Sequence, residues 1–263
     1  MPKGFLIYFA GRTGSTFLVE RLKEHPQINA FGERFGTELL DGEPQTGDGQ
    51  IAFVRKKLRP HLLREEQTSP ISVGWKIQIH PGNWQIIQLQ RFKKVVQEYV
   101  LVHFHLTREN VVKQAVSSLR ARELHNRTSE ELGHGYANVR SNFSDRLGAA
   151  SIEAMEVEPK KLEQMIEGIR RSEQVTAEYV ADFAHVENIT YEDIVGDKPK
   201  FIDWFCDTIG QEKIEWPEGE EVLKLTNDDL RQSISNIDEL VELYSGSEIG
   251  SMLEEGLSQP VGR

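Results

Sequence analysis

Six consecutive apolar residues, Phe5-Leu6-Ile7-Tyr8-Phe9-Ala10, run straight into Gly11-Arg12-Thr13-Gly14-Ser15-Thr16. A continuous apolar run bounded by glycine suits a strand buried on both faces, as in a parallel sheet covered by helices. Phe17, Leu18, Arg21 and Leu22 then fall at helical spacing, so the pattern predicts a helix from near Ser15. Strand, glycine turn and helix together open an α/β sheet domain.

Three further segments read as strands: Ser72 to Ile79, Glu98 to Leu106, and Ala184 to Thr190. Helical periodicity covers Val111 to Glu123, Pro159 to Phe183, and Lys198 to Ile209, the last two entered at prolines suited to a first turn. Two stretches break the pattern. Residues 41–70 are polar and glycine-punctuated apart from a basic amphipathic piece near Phe53 to Leu63, and residues 124–151 are rich in Asn, Ser, Gly and Arg. Inserts of that length in a compact domain are usually functional loops, and here they are expected on the acceptor side of a site. With no linker-like composition shift and no repeat, residues 1–263 read as a single domain.

Charge narrows the partners. The chain has 42 acidic against 31 Lys and Arg residues, a formal charge of −11, which argues against nucleic-acid or anionic-membrane binding. No apolar run approaches the ~20 residues of a membrane span, and the start of the chain reads as a strand rather than a signal peptide. The lone Cys206 excludes an internal disulfide framework and reads as a small buried apolar residue. A reducing, cytoplasmic setting is expected, with no stable membrane insertion; a homodimer is compatible with the sequence.

The turn after the first strand carries the chemistry. Backbone N–H groups at a helix start lack partners and lie at the positive end of the helix dipole, so they attract an oxyanion. Gly14 allows close approach, Ser15 and Thr16 add hydroxyls, and Arg12 adds a permanent charge with a planar donor fork. A nucleoside-triphosphatase loop would place a lysine before the hydroxyl pair, and none is there. The strand ending in Leu106-Thr107-Arg108 offers no aspartate for magnesium, and a Gly-x-Gly-x-x-Gly dinucleotide fingerprint is missing. Arg108, with Ser117 in the helix that follows, forms a second candidate oxyanion site at a strand's carboxyl end. Two such sites imply a ligand with two separated anionic groups.

These residues resemble the sulfotransferases that use 3′-phosphoadenosine 5′-phosphosulfate (PAPS). Arg12 to Thr16, with His25-Pro26 closing the next helix, is similar to their 5′-phosphosulfate loop, and Arg108 to Ser117 to their 3′-phosphate motif. Asn188-Ile189-Thr190-Tyr191-Glu192-Asp193-Ile194 is similar to their Tyr-Glu-Asp strand-end motif. The Gly32-Glu33-Arg34-Phe35 turn and the spacing from Arg108 to Gln114-Ala115-Val116-Ser117 lie closest to the bacterial trehalose sulfotransferase-like subgroup. A late Arg-Lys-Gly loop found in many cytosolic members is not seen.

The resemblance implies a P-loop-like, three-layer α/β fold with a central, mostly parallel sheet flanked by helices. It implies PAPS as donor, 3′,5′-bisphosphoadenosine (PAP) as product, no metal, and a small-molecule or carbohydrate acceptor. Arg12, Thr13, Gly14, Ser15 and Thr16 would bind the phosphosulfate, Arg108 and Ser117 the 3′-phosphate, and Tyr191 the adenine unless it is a core aromatic. Arg12 would also stabilise the leaving group, and Glu33 would be the base, with His80 as runner-up. Lys76 either touches the sulfate or lies along the sheet edge with its head in water. His103 and His105 share a strand face and read as packed residues in preference to a metal pair. Trp75 reads as core. Alternative readings are a small-molecule kinase relative with the same sheet and loop, and a nucleotide-binding module without turnover.

Overall fold

The structure is a computed structural model that describes residues 4–33, 39–40, 43–44, 46–62, 71–79, 87–100, 102–132, 153–214 and 229–258. Contacts divide the chain into two compact units, residues 1–109 with 171–220 and residues 110–170 with 221–263.

The first unit is built on a sheet of β1 (Gly4–Phe9), β2 (Ile28–Phe31), β5 (Ser72–Gln78), β6 (Val102–Thr107) and β7 (Val186–Thr190). Its order is β2-β5-β1-β6-β7, and every neighbouring pair is parallel. A two-residue pairing of β3 (Leu39–Leu40) with β4 (Glu43–Pro44) stands apart from it. β1 is central, and its alternating side chains serve both faces. Phe5, Ile7 and Phe9 pack with Leu18 and Leu22 of α1 (Ser15–Lys23) and with Phe205, Cys206 and Ile209 of the helix Lys198–Ile209. Leu6 and Tyr8 face Phe53 and Val54 of α2 (Gly47–Leu62), Phe92 and Val96 of α3 (Leu89–Tyr99), and Tyr179. Helices on both faces of a parallel sheet make the three-layer α/β fold expected from the opening strand.

Close packing fixes one position on β5. A Cβ at Gly74 would lie 2.4 Å from the Phe5 ring, so β5 and β1 can sit this tightly only without a side chain there. Trp75 is fully buried, edge-on to Phe53 at 5.8 Å. Cys206 is buried too, and burial with Asp203 and Asp207 nearby pushes its thiol up to about 11.

The second unit contains α4 (Val111–Leu132), the start of α5 (Pro159–Val180), a single turn at Leu230–Gln232, α8 (Ile237–Leu243) and α9 (Glu248–Ser258). The intervening helices α6 (Tyr191–Gly196) and α7 (Lys198–Ile209) belong to the first unit. Val112, Val116, Leu162, Ile166, Leu230, Leu240 and Leu253 form the core of the second unit. Asn110 starts α4 by accepting from Lys113 N–H at 2.9 Å, while its amide donates to Met252 O at 2.9 Å. The buried Arg120 guanidinium donates to Ser233 O at 2.9 Å.

Several boundaries differ from those the sequence suggests. Glu98 and Tyr99 close α3 instead of opening a strand, and β6 begins only at Val102. The spacing of Phe92, Val95, Val96 and Tyr99 is helical, and the apolar strand that follows masks where one ends. Helix α2 fills much of residues 41–70, started by Gly47-Asp48-Gly49 that reads as a turn. Helix α4 continues to Leu132, and α5 stops at Val180.

A buried imidazole makes the first unit acid-sensitive. His103 stacks on Phe183 with centroids 3.7 Å apart and shares a 3.1 Å hydrogen bond with the Tyr8 hydroxyl. Burial, with His185 adding repulsion, lowers its pKa from 6.5 to about 4. The unfolded imidazole therefore takes a proton as pH falls through 6.5, and the folded one does not until about 4. Stability from the neutral ring is complete above that window and is lost on descending through it. His105, lowered by burial against an opposing bond to Asn188, acts in the same sense. His103→Phe should lower stability at pH 7, because the Tyr8 hydroxyl loses its partner, yet flatten the decline toward pH ~4. Urea unfolding at several pH values measures both; an unchanged slope would refute the assignment.

Candidate active site

The turn after β1 is held in an uncommon shape. Arg12 has φ 69°, the only non-glycine residue with positive φ among those described, and Gly14 follows at φ 80°. For Arg12 that backbone costs about 1–2 kcal/mol, the kind of strain that persists where surroundings or function demand it. Thr13 is fully buried and donates its hydroxyl to Ala10 O at 3.1 Å, pinning the turn from within. Gly14 is the N-cap of α1 and supplies no side-chain acceptor to the first-turn N–H groups. The helix therefore starts with its positive end turned to whatever anion meets the loop.

Lys76 brings a cation to that start from β5. Its ammonium donates to Thr16 Oγ1 at 2.7 Å, lies 3.4 Å from Ser15 Oγ, and sits 5.2 Å over the Phe9 ring. The parallel register pairs Ile7 with Lys76, which places the side chain beside the loop. Glu33, two residues past β2, completes the group with Oε1 at 3.4 Å from the same ammonium. The two side chains are 6% and 11% exposed, so this ion pair is largely out of water. Buried pairs are weak contributors to stability because desolvation offsets their attraction. A charge pair kept at the open end of a sheet is more readily explained by chemistry than by folding.

Arg108 follows β6, 4.6 Å over the Tyr191 ring and 3.9 Å from Glu192 Oε1. The other Glu192 oxygen accepts from Glu109 N–H at 3.0 Å. Tyr191 also borders the first loop, since a Cβ at Gly14 would lie 2.4 Å from its Cδ2. Arg12, Thr13, Gly14, Ser15, Thr16, Glu33, Arg108 and Tyr191 thus all belong to the first unit. Ser117 is buried on α4 in the second unit, and His80 lies outside the described residues. His25, read with the first loop, is structural: Nδ1 accepts from Gln27 N–H at 3.0 Å and Nε2 meets Glu212 O at 2.9 Å.

The donor set of Lys76, the Ser15 and Thr16 hydroxyls and the start of α1 is suited chemically to an oxyanion. Among the described residues no three His, Cys, Asp or Glu side chains are grouped to hold a metal. No described helix is long and apolar enough to cross a membrane.

No protein-family model matches the chain, and no curated protein does. Several solved structures are similar to it. A sulfotransferase from Alicyclobacillus acidocaldarius is 15% identical with a TM-score of 0.44, covering 99% of this chain and 97% of that one. The sulfotransferase domain of the curacin biosynthetic pathway is 14% identical at TM-score 0.41, over 100% and 94% of the two chains. Mouse sulfotransferase SULT7A1, complexed with PAP, is 13% identical at TM-score 0.41, over 97% and 88%.

Two parts of the site exceed the sequence reading. Lys76 could not be told from a lysine at the sheet edge, because only the β1–β5 register aims it at the loop. Glu192 lay within a recognised motif, but its grip on the Glu109 N–H and Arg108 needed β6 and β7 side by side.

Proposed function

We propose that this chain transfers a sulfuryl group from PAPS to a hydroxyl or amine of a small molecule, glycan or glycolipid. We read it as a cytoplasmic relative of the bacterial trehalose sulfotransferase-like subgroup. The observation that carries this reading is the Lys76 ammonium between the Ser15 and Thr16 hydroxyls and the Glu33 carboxylate. It gathers oxyanion donors and a proton acceptor at one point.

In this reading Glu33 takes the proton of the acceptor oxygen as that oxygen bonds to sulfur. The bond between sulfur and the 5′-phosphate oxygen breaks, and its electron pair stays on the departing phosphate. Arg12, Lys76 and the first-turn amides of α1 hold the charge that develops there. One preorganised donor in such a site is worth about 3–4 kcal/mol, two to three powers of ten in rate. Arg108 takes the 3′-phosphate, with Ser117 assigned beside it by the sequence resemblance. A small-molecule kinase relative is the second reading, because an ammonium against a hydroxyl-bearing loop also suits nucleoside phosphates.

A thermal-shift titration with PAP, magnesium-ATP and NAD separates the classes. PAP at about a hundred times its Kd should add roughly 2.7 kcal/mol to stability, a rise of several degrees in Tm. A larger shift with ATP would favour the kinase, and no shift with PAP would refute the donor assignment. Arg108→Ala should weaken PAP binding about tenfold to a hundredfold, as for loss of a charge-assisted hydrogen bond, while adenosine 5′-phosphosulfate binding changes little. Equal losses in calorimetry for both ligands would remove Arg108 from the 3′-phosphate.

A further inference from the structure

Tyr191 touches two things that the donor reading keeps separate. Its ring edge lies against the backbone of Gly14, where an added Cβ would come within 2.4 Å of Cδ2 and 2.9 Å of Cε2. Its ring face carries the Arg108 guanidinium, whose central carbon is 4.6 Å from the centroid and so within cation–π reach. We infer that Tyr191 is a positioning residue: its ring sets Arg108 against the Gly11–Thr16 loop, the two places the donor reading assigns to the charged ends of one nucleotide. The inference rests on the donor reading above.

The ring is well placed for that task because its own backbone is fixed. Thr190 and Asp193 form a reciprocal cap at the start of α6, Thr190 Oγ1 accepting from Asp193 N–H at 3.0 Å and Asp193 Oδ2 from Thr190 N–H at 2.8 Å. Tyr191 is the first residue inside that cap. Glu192, next in line, holds the Arg108 side chain electrostatically and the following N–H by a hydrogen bond. Arg108 is thus steered from two sides by consecutive residues. A long, many-rotamer side chain is thereby ordered before any ligand arrives, which removes part of the entropic cost of binding.

A double-mutant cycle on PAP affinity, read by calorimetry on the full chain, tests this. Tyr191→Leu and Arg108→Ala should each weaken PAP about tenfold or more. The double variant should be no weaker than Arg108→Ala alone within about twofold, because the ring acts through the guanidinium. Tyr191→Phe keeps the ring and should bind PAP within about twofold of wild type. Should Tyr191→Leu fail to fold, Tyr191→Met takes its place in the cycle, with the same non-additivity expected.

Losses that add in full, with equal weakening of AMP, would mean that Tyr191 stacks on the base, and would overturn the inference. A lower Tm with unchanged PAP affinity below the transition would reduce Tyr191 to packing and overturn it as well. Wild-type protein that does not bind PAP would fail the donor reading itself, an outcome distinct from both.

Discussion

Glu33→Gln is expected to cut turnover by about two to three powers of ten while PAP affinity stays within a few-fold of wild type. Glutamine keeps the shape of the side chain and an oxygen for the Lys76 ammonium, 3.4 Å away in the native pair, but cannot accept a proton. Loss confined to turnover is the mark of an interaction made in the transition state. The measurement is PAP release across an acceptor panel, set beside PAP calorimetry on the same protein. A normal rate would clear Glu33 and move the base to His80. A fall in affinity matching the fall in rate would instead make Glu33 a binding group that acts through Lys76.

Arg12→Gly should separate activity from stability more sharply still. Glycine adopts φ 69° without penalty, which relieves about 1–2 kcal/mol of backbone strain, while its freer unfolded chain returns about 0.4–1 kcal/mol of that. Tm should therefore stay within a few degrees of wild type. Turnover should fall by at least two powers of ten, since the proposed mechanism assigns the guanidinium to screening the departing phosphate. Donor turnover beside a melting curve checks both halves. A large drop in Tm would show that Arg12 chiefly supports the loop, and a retained rate would refute its part in the chemistry.

Much of the frame can be read from the first strand and turn. Phe5 to Ala10 specify a buried central strand because both alternating faces are apolar, and the helix from Ser15 follows from its spacing. The strands at residues 72 and 186 and the helix at 198 are legible for similar reasons. Helix α3 was not, since Phe92 to Tyr99 run almost without a break into apolar β6. Of helix α2 only the basic amphipathic piece near Phe53 to Leu63 was legible, because its start is broken by Gly47 and Gly49. Of the site, the expectation that residues 11–16 bind an oxyanion is local, because it follows from a strand, a glycine turn and a helix start. The contacts of Glu33 with Lys76, and of Tyr191 with Gly14 and Arg108, join segments far apart in sequence, and only strand register brings them together.

That register has a consequence for how the molecule can diversify. Lys76 is aimed by a strand, with Ile7 as its rung, and not by any loop. Sliding β5 by a single residue would send the ammonium out of the opposite side of the sheet. Segments beyond the strand ends can therefore vary in length and sequence while Lys76 keeps its place against Ser15, Thr16 and Glu33. Under the proposed function, a change of acceptor and a change of chemistry would then be separate evolutionary events.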